Sequence, residues 1–340
     1  MPNGSKTYRV AVAGLVHGHI GGLLNNWKNH ERTEIVAVAE PDTALAESAR
    51  ERYGIPTVYA DWREMLEKET FDILQIGSDN LSKTEIIIAA ARAGKAVTAE
   101  KPLAVNLEAA ERIRSVIRET RVPFLTNWWP AFQPGRRTLL RLVREGAVGD
   151  VWQVKERMGH AGPKEIGCGP EFVEWLYDAE KNGGGAGADF CCYGAVFAAV
   201  VLGRPQAVWG TAGNLTKDYD IVDDNAVMVA RYEKAIAILE GTWSQQGGDA
   251  CGYPLVYGTT GTLSQSGDAI RLDRGGRNGV EMIPHDPIPA GHENHAAYFL
   301  HCIESGIEPE GMLSLEACFT AQEIVEAGYQ AAQTGSAVSL

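Results

Sequence analysis

The chain has 340 residues, 31 of them basic and 44 acidic, for a formal net charge of −13. That length suits two domains, each with its own core. The acidic balance repels phosphate backbones and anionic lipid, which argues against nucleic acid or a membrane surface as partner. The longest apolar run, Ala195 to Leu202, falls short of the ~18 residues of a membrane span, and Met1 to Lys6 lack a signal peptide's apolar core. A soluble, cytoplasmic protein is expected. The six cysteines (Cys168, Cys191, Cys192, Cys251, Cys302, Cys318) form no CxxC pair and read as reduced, mostly buried thiols.

Up to Thr126 the sequence alternates strand-like and helix-like segments: Tyr8 to Ala13, His19 to Lys28, Glu34 to Glu40, Thr43 to Arg52, Phe71 to Ile76, Ser82 to Ala93, Ala96 to Glu100, Leu107 to Glu119 and Val122 to Thr126. This alternation predicts a parallel, doubly wound α/β sheet over residues 1–126. From 127 to 340 the pattern predicts an α+β domain. A helix near Pro134 to Glu145 is followed by extended stretches at Asp150 to Arg157, Ala207 to Thr211, Ala226 to Tyr232, Ala235 to Trp243, Pro254 to Thr259 and Gly261 to Ser266. Strands in succession imply a large, mainly antiparallel open sheet. Further helices are expected at Asp189 to Leu202, Asn294 to Ser305 and Ser314 to Gln333, the last a surface helix with Leu315, Phe319 and Val325 on its apolar side.

The first strand runs into Gly14-Leu15-Val16-His17-Gly18-His19-Ile20-Gly21-Gly22, a glycine-rich turn opening a helix, where free N–H groups and the helix dipole attract a pyrophosphate. In G-x-G-x-x-G register the second and third glycines are Val16 and His19, so the dinucleotide fingerprint is incomplete. Glu40 ends the second strand, where an acid accepts from the adenosine ribose hydroxyls and repels a 2′-phosphate; this favours NAD over NADP, although Glu40 also fits as a solvated turn residue. Lys101 closes the strand Ala96 to Glu100 and precedes Pro102, so one cation stands in an extended backbone at the carboxyl end of a parallel strand.

With Ile76-Gly77-Ser78-Asp79-Asn80, Ala93-Gly94-Lys95, Glu100-Lys101-Pro102 and Gly183-Gly184-Gly185-Ala186-Gly187-Ala188-Asp189 in view, the chain resembles the glucose-fructose oxidoreductase and inositol dehydrogenase (Gfo/Idh/MocA) family over nearly its whole length. The resemblance implies an N-terminal Rossmann domain and a nicotinamide beside Lys101, with Lys101–Pro102 commonly cis. It also implies a helix that presents Asp189 and Tyr193 to substrate, and oligomerisation through the second domain's sheet as a homodimer or homotetramer. Gly14, Val16, His17, Glu40, Ser78, Asn80, Glu100, Lys101 and Asn127 are then expected to border the cofactor. Tyr193 stands where histidine is usual, Lys83 where histidine is frequent, and Asn127-Trp128-Trp129-Pro130 where an arginine often occurs.

Taken from the residues themselves, a helix opening at Asp189 would place its carboxylate beside the Tyr193 phenol, four residues on. Hydride loss from an alcohol needs a proton acceptor and a cation near the oxygen, roles open to Tyr193 and Lys101, while Asp189 would orient substrate or the lysine. A nearby ammonium is expected to lower the phenol's pKa from about 10. The same residues also fit a helix cap and packing. Trp128 and Trp129 suit either a stacking wall or interdomain packing, and His160 either substrate hydroxyls or a backbone contact. His292, His295 and His301 do not read as a metal site, and Arg271, Arg274 and Arg277 read as a solvated hairpin. The expected activity is NAD-dependent oxidoreduction of a secondary alcohol of a sugar, polyol or related cyclic compound. A redox-neutral sugar lyase or glycosidase acting by transient oxidation, and a ligand-sensing protein without chemistry, stay open.

Overall fold

In a computed structural model that describes residues 6–249 and 252–340, a six-stranded parallel sheet comprises β1 (Tyr8–Ala13), β2 (Thr33–Ala39), β3 (Thr57–Tyr59), β4 (Ile73–Ile76), β5 (Ala96–Glu100) and β6 (Phe124–Asn127). Cys251 and Met1 to Ser5 lie outside the described residues. The spatial order is β3-β2-β1-β4-β5-β6. Helices α1 (Ile20–Asn29), α2 (Thr43–Tyr53), α3 (Trp62–Lys68), α4 (Lys83–Arg92) and α5 (Leu107–Thr120) connect the strands. Strand order reverses between β1 and β4, which opens a ligand crevice at the strands' carboxyl ends.

The sequence explains these elements locally. In β1 and β4 every apolar side chain is buried, the pattern of strands covered on both faces. The helix α2 starts where Asp42 accepts from the N–H groups of Ala44 and Leu45, and ends at Gly54 with φ +73°. β3 and α3 have no counterpart among the expected segments. The three residues of β3 are partly or fully exposed, so no apolar run marks them.

The second part contains α6 (Pro134–Arg144), β7 (Val151–Gly159), α7 (Pro170–Leu176), α8 (Ala179–Asn182), a π-helical turn (Gly187–Cys191), α9 (Cys192–Leu202), β8 (Ala207–Gly213), β9 (Asn225–Arg231), β10 (Ile236–Thr242), β11 (Leu255–Gly258), β12 (Thr262–Ser266), β13 (Ala269–Gly275), β14 (Gly279–Pro284), α10 (His295–Ser305), α11 (Leu315–Thr334) and β15 (Val338–Ser339). Its nine-stranded sheet has the order β14-β13-β12-β11-β7-β10-β9-β8-β15, with only β7 and β10 parallel neighbours. The large, mainly antiparallel sheet expected from the strand succession is present.

Two expectations are corrected here. α11 is not a surface helix: it packs on β8, α9 and α5, burying Cys318, Phe319, Ile324 and Val325. Apolar helical sequence also extends beyond Ala195 to Leu202. The stretch Ala179–Leu202 has the length and composition to cross a membrane, but 72 % of its most apolar window is buried, so it is core. α10 returns to pack on α1, and α11 on α5, so the C-terminal helices brace the first domain.

Candidate active site

β5 delivers Lys101 into the crevice. After the last paired residue, Glu100, the Lys101–Pro102 peptide is cis, and Lys101 is buried. Its Nζ donates to Asp189 Oδ1 at 2.5 Å and to the Asp189 carbonyl at 3.1 Å. It also lies over the ring of Tyr193, 4.9 Å from the centroid. The indole N–H of Trp243 donates to Asp189 Oδ2 at 3.0 Å. Burial alone would pull the lysine down, but the Asp189 carboxylate more than reverses it and holds the ammonium above the usual lysine range. Burial likewise works against the Asp189 anion, yet Lys101 and the Trp243 hydrogen bond keep its carboxyl below the usual carboxylate range. The pair is ionic at neutral pH.

Asp189 reaches Lys101 from the glycine run, whose backbone is held by a second buried acid. Asp223 accepts from the N–H groups of Gly185 at 2.9 Å and Gly187 at 2.8 Å, and from Tyr329 Oη at 2.9 Å; Tyr329 in turn accepts from Ala188 N–H at 2.8 Å. A Cβ on Gly187 would come within 2.6 Å of Tyr329 Oη, and one on Gly185 would strike the Asp223 carbonyl. The glycines are needed for this close approach. A π turn over Gly187–Cys191 replaces the expected regular helix start. Asp189 and Tyr193 both meet Lys101, but no hydrogen bond joins them.

For Tyr193 the expected direction of the pKa shift is reversed. Burial pushes the phenol well above the ordinary tyrosine range, outweighing the opposing Lys101 ammonium. The ammonium faces the ring and makes no hydrogen bond to the hydroxyl, which has no hydrogen-bond partner among the described residues. Trp128 stands edge-on to Tyr193 at 5.4 Å and Trp129 at 6.4 Å. Trp128 is fully buried, with its N–H on Cys318 Sγ, which is the packing alternative, whereas Trp129 is 45 % exposed. His160 packs edge-on to Phe190, and its Nδ1 accepts from Gly162 N–H at 2.9 Å, while Nε2 has no hydrogen-bond partner among the described residues.

At the glycine turn, the N–H groups of Val16 and Gly18 have no partner among the described residues and stand at the amino end of α1, an arrangement that fits a pyrophosphate. Gly14, at φ +83°, is required by the protein itself, since a Cβ would lie 2.7 Å from Ser78 N. Glu40 is buried at the end of β2, accepting from Leu15 N–H at 2.7 Å and Asp42 N–H at 3.0 Å. It is thus no solvated turn residue: it is buried and braces the turn. Burial raises its carboxyl, with the two backbone hydrogen bonds opposing. Asn80 differs from a free cofactor contact, because its amide is committed to Lys83 and Asn182. Asn127 donates to Glu100 Oε1.

Sequence reasoning missed His19, Trp243, Lys83 and the aromatic cover of the turn. Trp175 donates to the Val16 carbonyl at 3.1 Å, and Phe172 packs on His17. His19 Nδ1 lies 3.2 Å from Glu100 Oε2. His17, His19 and Glu100 are the one cluster of convergent metal-type donors among the described residues. However, His17 Nδ1 accepts from His19 N–H, which leaves the proton of the neutral ring on Nε2. A metal-ligating histidine donates from its second nitrogen instead, so the geometry fits a hydrogen-bonding cluster better than a ligand set. His295 is committed to Asn26 and Trp27, apart from the His292–His301 pair.

Comparison with known proteins agrees with this two-part fold. Residues 8–127 match the family described as "Oxidoreductase family, NAD-binding Rossmann fold", and residues 136–264 match the GFO/IDH/MocA C-terminal domain. The chain is 25 % identical over 294 residues to trans-1,2-dihydrobenzene-1,2-diol dehydrogenase of Xenopus tropicalis, covering 83 % of this chain and 84 % of that protein. It is 23 % identical over 335 residues to D-apiose dehydrogenase of Paraburkholderia graminis, covering 93 % and 86 %. Levoglucosan dehydrogenase in complex with NADH and levoglucosan superposes with a TM-score of 0.83 at 20 % identity, covering 98 % of this chain and 99 % of that one. The aldose-aldose oxidoreductase of Caulobacter crescentus gives 0.81 at 23 % identity, covering 98 % and 100 %.

Proposed function

The chain belongs to the GFO/IDH/MocA oxidoreductase family, with its NAD-binding Rossmann domain, and we propose that it transfers a hydride between NAD and a secondary alcohol or ketone of a sugar, polyol or related cyclic compound. The observation that carries this reading is the convergence of Asp189 and the Tyr193 ring on Lys101 Nζ at the carboxyl end of β5. NAD, when bound, supplies the hydride acceptor or donor. Glu40 favours it over NADP, because a buried carboxylate opposes a 2′-phosphate.

An ammonium has three donors, and Asp189 takes two of them, which leaves one for the reacting oxygen. Lys101 stabilises negative charge as it develops there. The Tyr193 hydroxyl donates a proton to that oxygen in reduction and accepts it in oxidation. Because both groups are protonated at neutral pH, the resting site is set to donate, so ketone reduction is favoured there and oxidation gains as pH rises. Asp189 and Trp243 fix the ammonium, while Trp129 and His160 supply an aromatic wall and a polar contact for a hydroxylated ring. The test is a panel of aldoses, polyols, anhydrosugars and glycosides, followed both for NADH and for products. Substrate-dependent NADH supports the reading; no turnover and no binding of any member rejects it.

One observation favours the redox-neutral reading as a second choice. Glu100 holds His19 as a carboxylate-backed imidazole on the oxygen that also accepts from the Lys101 backbone N–H, a further acid–base group that simple dehydrogenation does not need. Product formation without net NADH in the same panel would select it. For assembly, we propose that the open face of the nine-stranded sheet pairs with a second copy, giving a homodimer or homotetramer. Trp209, Val229 and Ile238 lie in register across β8, β9 and β10, and Trp209, Val227 and Ile236 are exposed.

A further inference from the structure

Lys83, in the first turn of α4, is 1 % exposed and forms no ion pair among the described residues. Its Nζ donates to Asn80 Oδ1 at 2.8 Å, to the Glu100 carbonyl at 3.0 Å and to the Pro102 carbonyl. Three donors meet three oxygens. Glu100 and Pro102 are the residues on either side of Lys101, so one ammonium holds the backbone before and after it. The network continues across the domains. Asn80 Nδ2 donates to Asn182 Oδ1 at 2.9 Å, and Asn182 Nδ2 donates to the Gly184 carbonyl at 2.8 Å. Gly184 begins the backbone that carries Asp189.

We propose that Lys83 is a positioning residue: through Glu100 and Pro102 on one side, and Asn80, Asn182 and Gly184 on the other, it sets how Lys101 meets Asp189. An apolar side chain of similar length would fill the same space without the cost of burying a cation. What it would not do is gather two carbonyls and an amide oxygen around one point. The inference rests on the reading of Lys101 as the cation that faces the reacting oxygen.

The test uses the full chain carrying Lys83→Met, Lys83→Gln or Asn182→Ala, the last cutting the network on the far side should a Lys83 variant not fold. Melting temperature and NAD dissociation constant are measured first. The Nζ resonance of Lys101, assigned with Lys101→Met in lysine-15N protein, then reports its placement without any substrate. Lys83→Met is expected to move or broaden that resonance and leave NAD binding within about twofold. With a substrate from the panel above, it should lower kcat on the order of ten- to a hundredfold at nearly constant KM, the scale of a displaced reacting group. Lys83→Gln, which keeps two donors, should recover part of the loss, and Asn182→Ala should show a smaller change in the same direction. Lower thermal stability with the Lys101 resonance and kcat both unchanged in the folded variants overturns the proposal and makes Lys83 a packing residue. A panel without any substrate would count against the proposed function, while the resonance would still decide the role of Lys83.

Discussion

Lys101 lies over the face of Tyr193, its Nζ 4.9 Å from the ring centroid, and makes no hydrogen bond to the phenol oxygen. A cation so placed attracts the ring's electrons but gives limited help to a phenolate, and burial raises the phenol's pKa above the ordinary range. The wild-type rate of alcohol oxidation is therefore expected to keep rising with pH through the ordinary tyrosine range, near about 10, without levelling there. Tyr193→Phe should fold and bind NAD normally, lose on the order of a hundredfold in single-turnover rate, and lose that pH dependence. Tyr193→His should recover part of the rate. Equal rates for wild type and Phe would return Tyr193 to packing.

The Lys101–Asp189 pair is buried on both sides, so removing one partner leaves the other charge without its counterion. Lys101→Met is expected to abolish most hydride transfer and to cost about 3–5 kcal/mol of stability, whereas Lys101→Met with Asp189→Asn should regain much of the stability but none of the activity. The pair also sets a pH window. The folded Asp189 pKa is lowered, so its contribution is complete above the ordinary carboxylate range and is lost as pH falls through the folded value. The folded Lys101 pKa is raised, so its contribution is complete below the ordinary lysine range and is lost only at higher pH. Denaturant midpoints should separate wild type from the double variant by a constant amount near neutrality and converge in acid. A gap that stays the same in acid would show that the ion pair contributes nothing.

Glu40→Ala should weaken NAD and narrow its advantage over NADP, since it removes both a ribose acceptor and the charge opposing a 2′-phosphate. It also releases the N–H groups of Leu15 and Asp42, so the turn loses a brace. Glu40→Gln separates these effects, keeping one acceptor oxygen while losing the charge. Because burial raises the Glu40 carboxyl, the wild-type NAD preference should start to fall at a higher pH, on acidification, than an ordinary glutamate would dictate. Dissociation constants for both dinucleotides between neutral and acid pH test this. A ratio untouched by either substitution would remove Glu40 from the cofactor site.

The parallel sheet was legible because strands such as Ala96 to Glu100 are apolar runs buried on both faces, and Lys101 stood out because its strand ends in Lys-Pro. What holds these residues was not legible. Trp243 reaches Asp189 from 54 positions away, and His19 reaches Glu100 from 81, so no local pattern joins them. In the sequence Lys83 is marked only as standing where a histidine is frequent; its burial was not legible, because it depends on which oxygens the fold brings to its ammonium. The π turn at Gly187–Cys191 was hidden for a similar reason. Asp223, which fixes that backbone, follows it at a distance of 36 residues. α11 was misplaced because its polar Gln322 and Glu323 are themselves buried, which disguises its depth.

The exposed sheet face yields the last prediction. Trp209 is 43 % exposed, and its register neighbours Val229 and Ile238 continue an apolar row across three strands, while the side chains that alternate with them, such as Val208, Met228 and Leu239, fill the core. A charge placed on this row should not disturb the interior, since strand neighbours point to opposite faces. It would, however, oppose burial of the row against a second copy. Trp209→Glu is therefore expected to convert an oligomer to monomer in light scattering while circular dichroism and NAD binding stay unchanged. Val229→Lys, at the middle of the row, should do the same. If the wild-type protein is already monomeric, or if both variants keep its oligomeric mass, this face is not the interface.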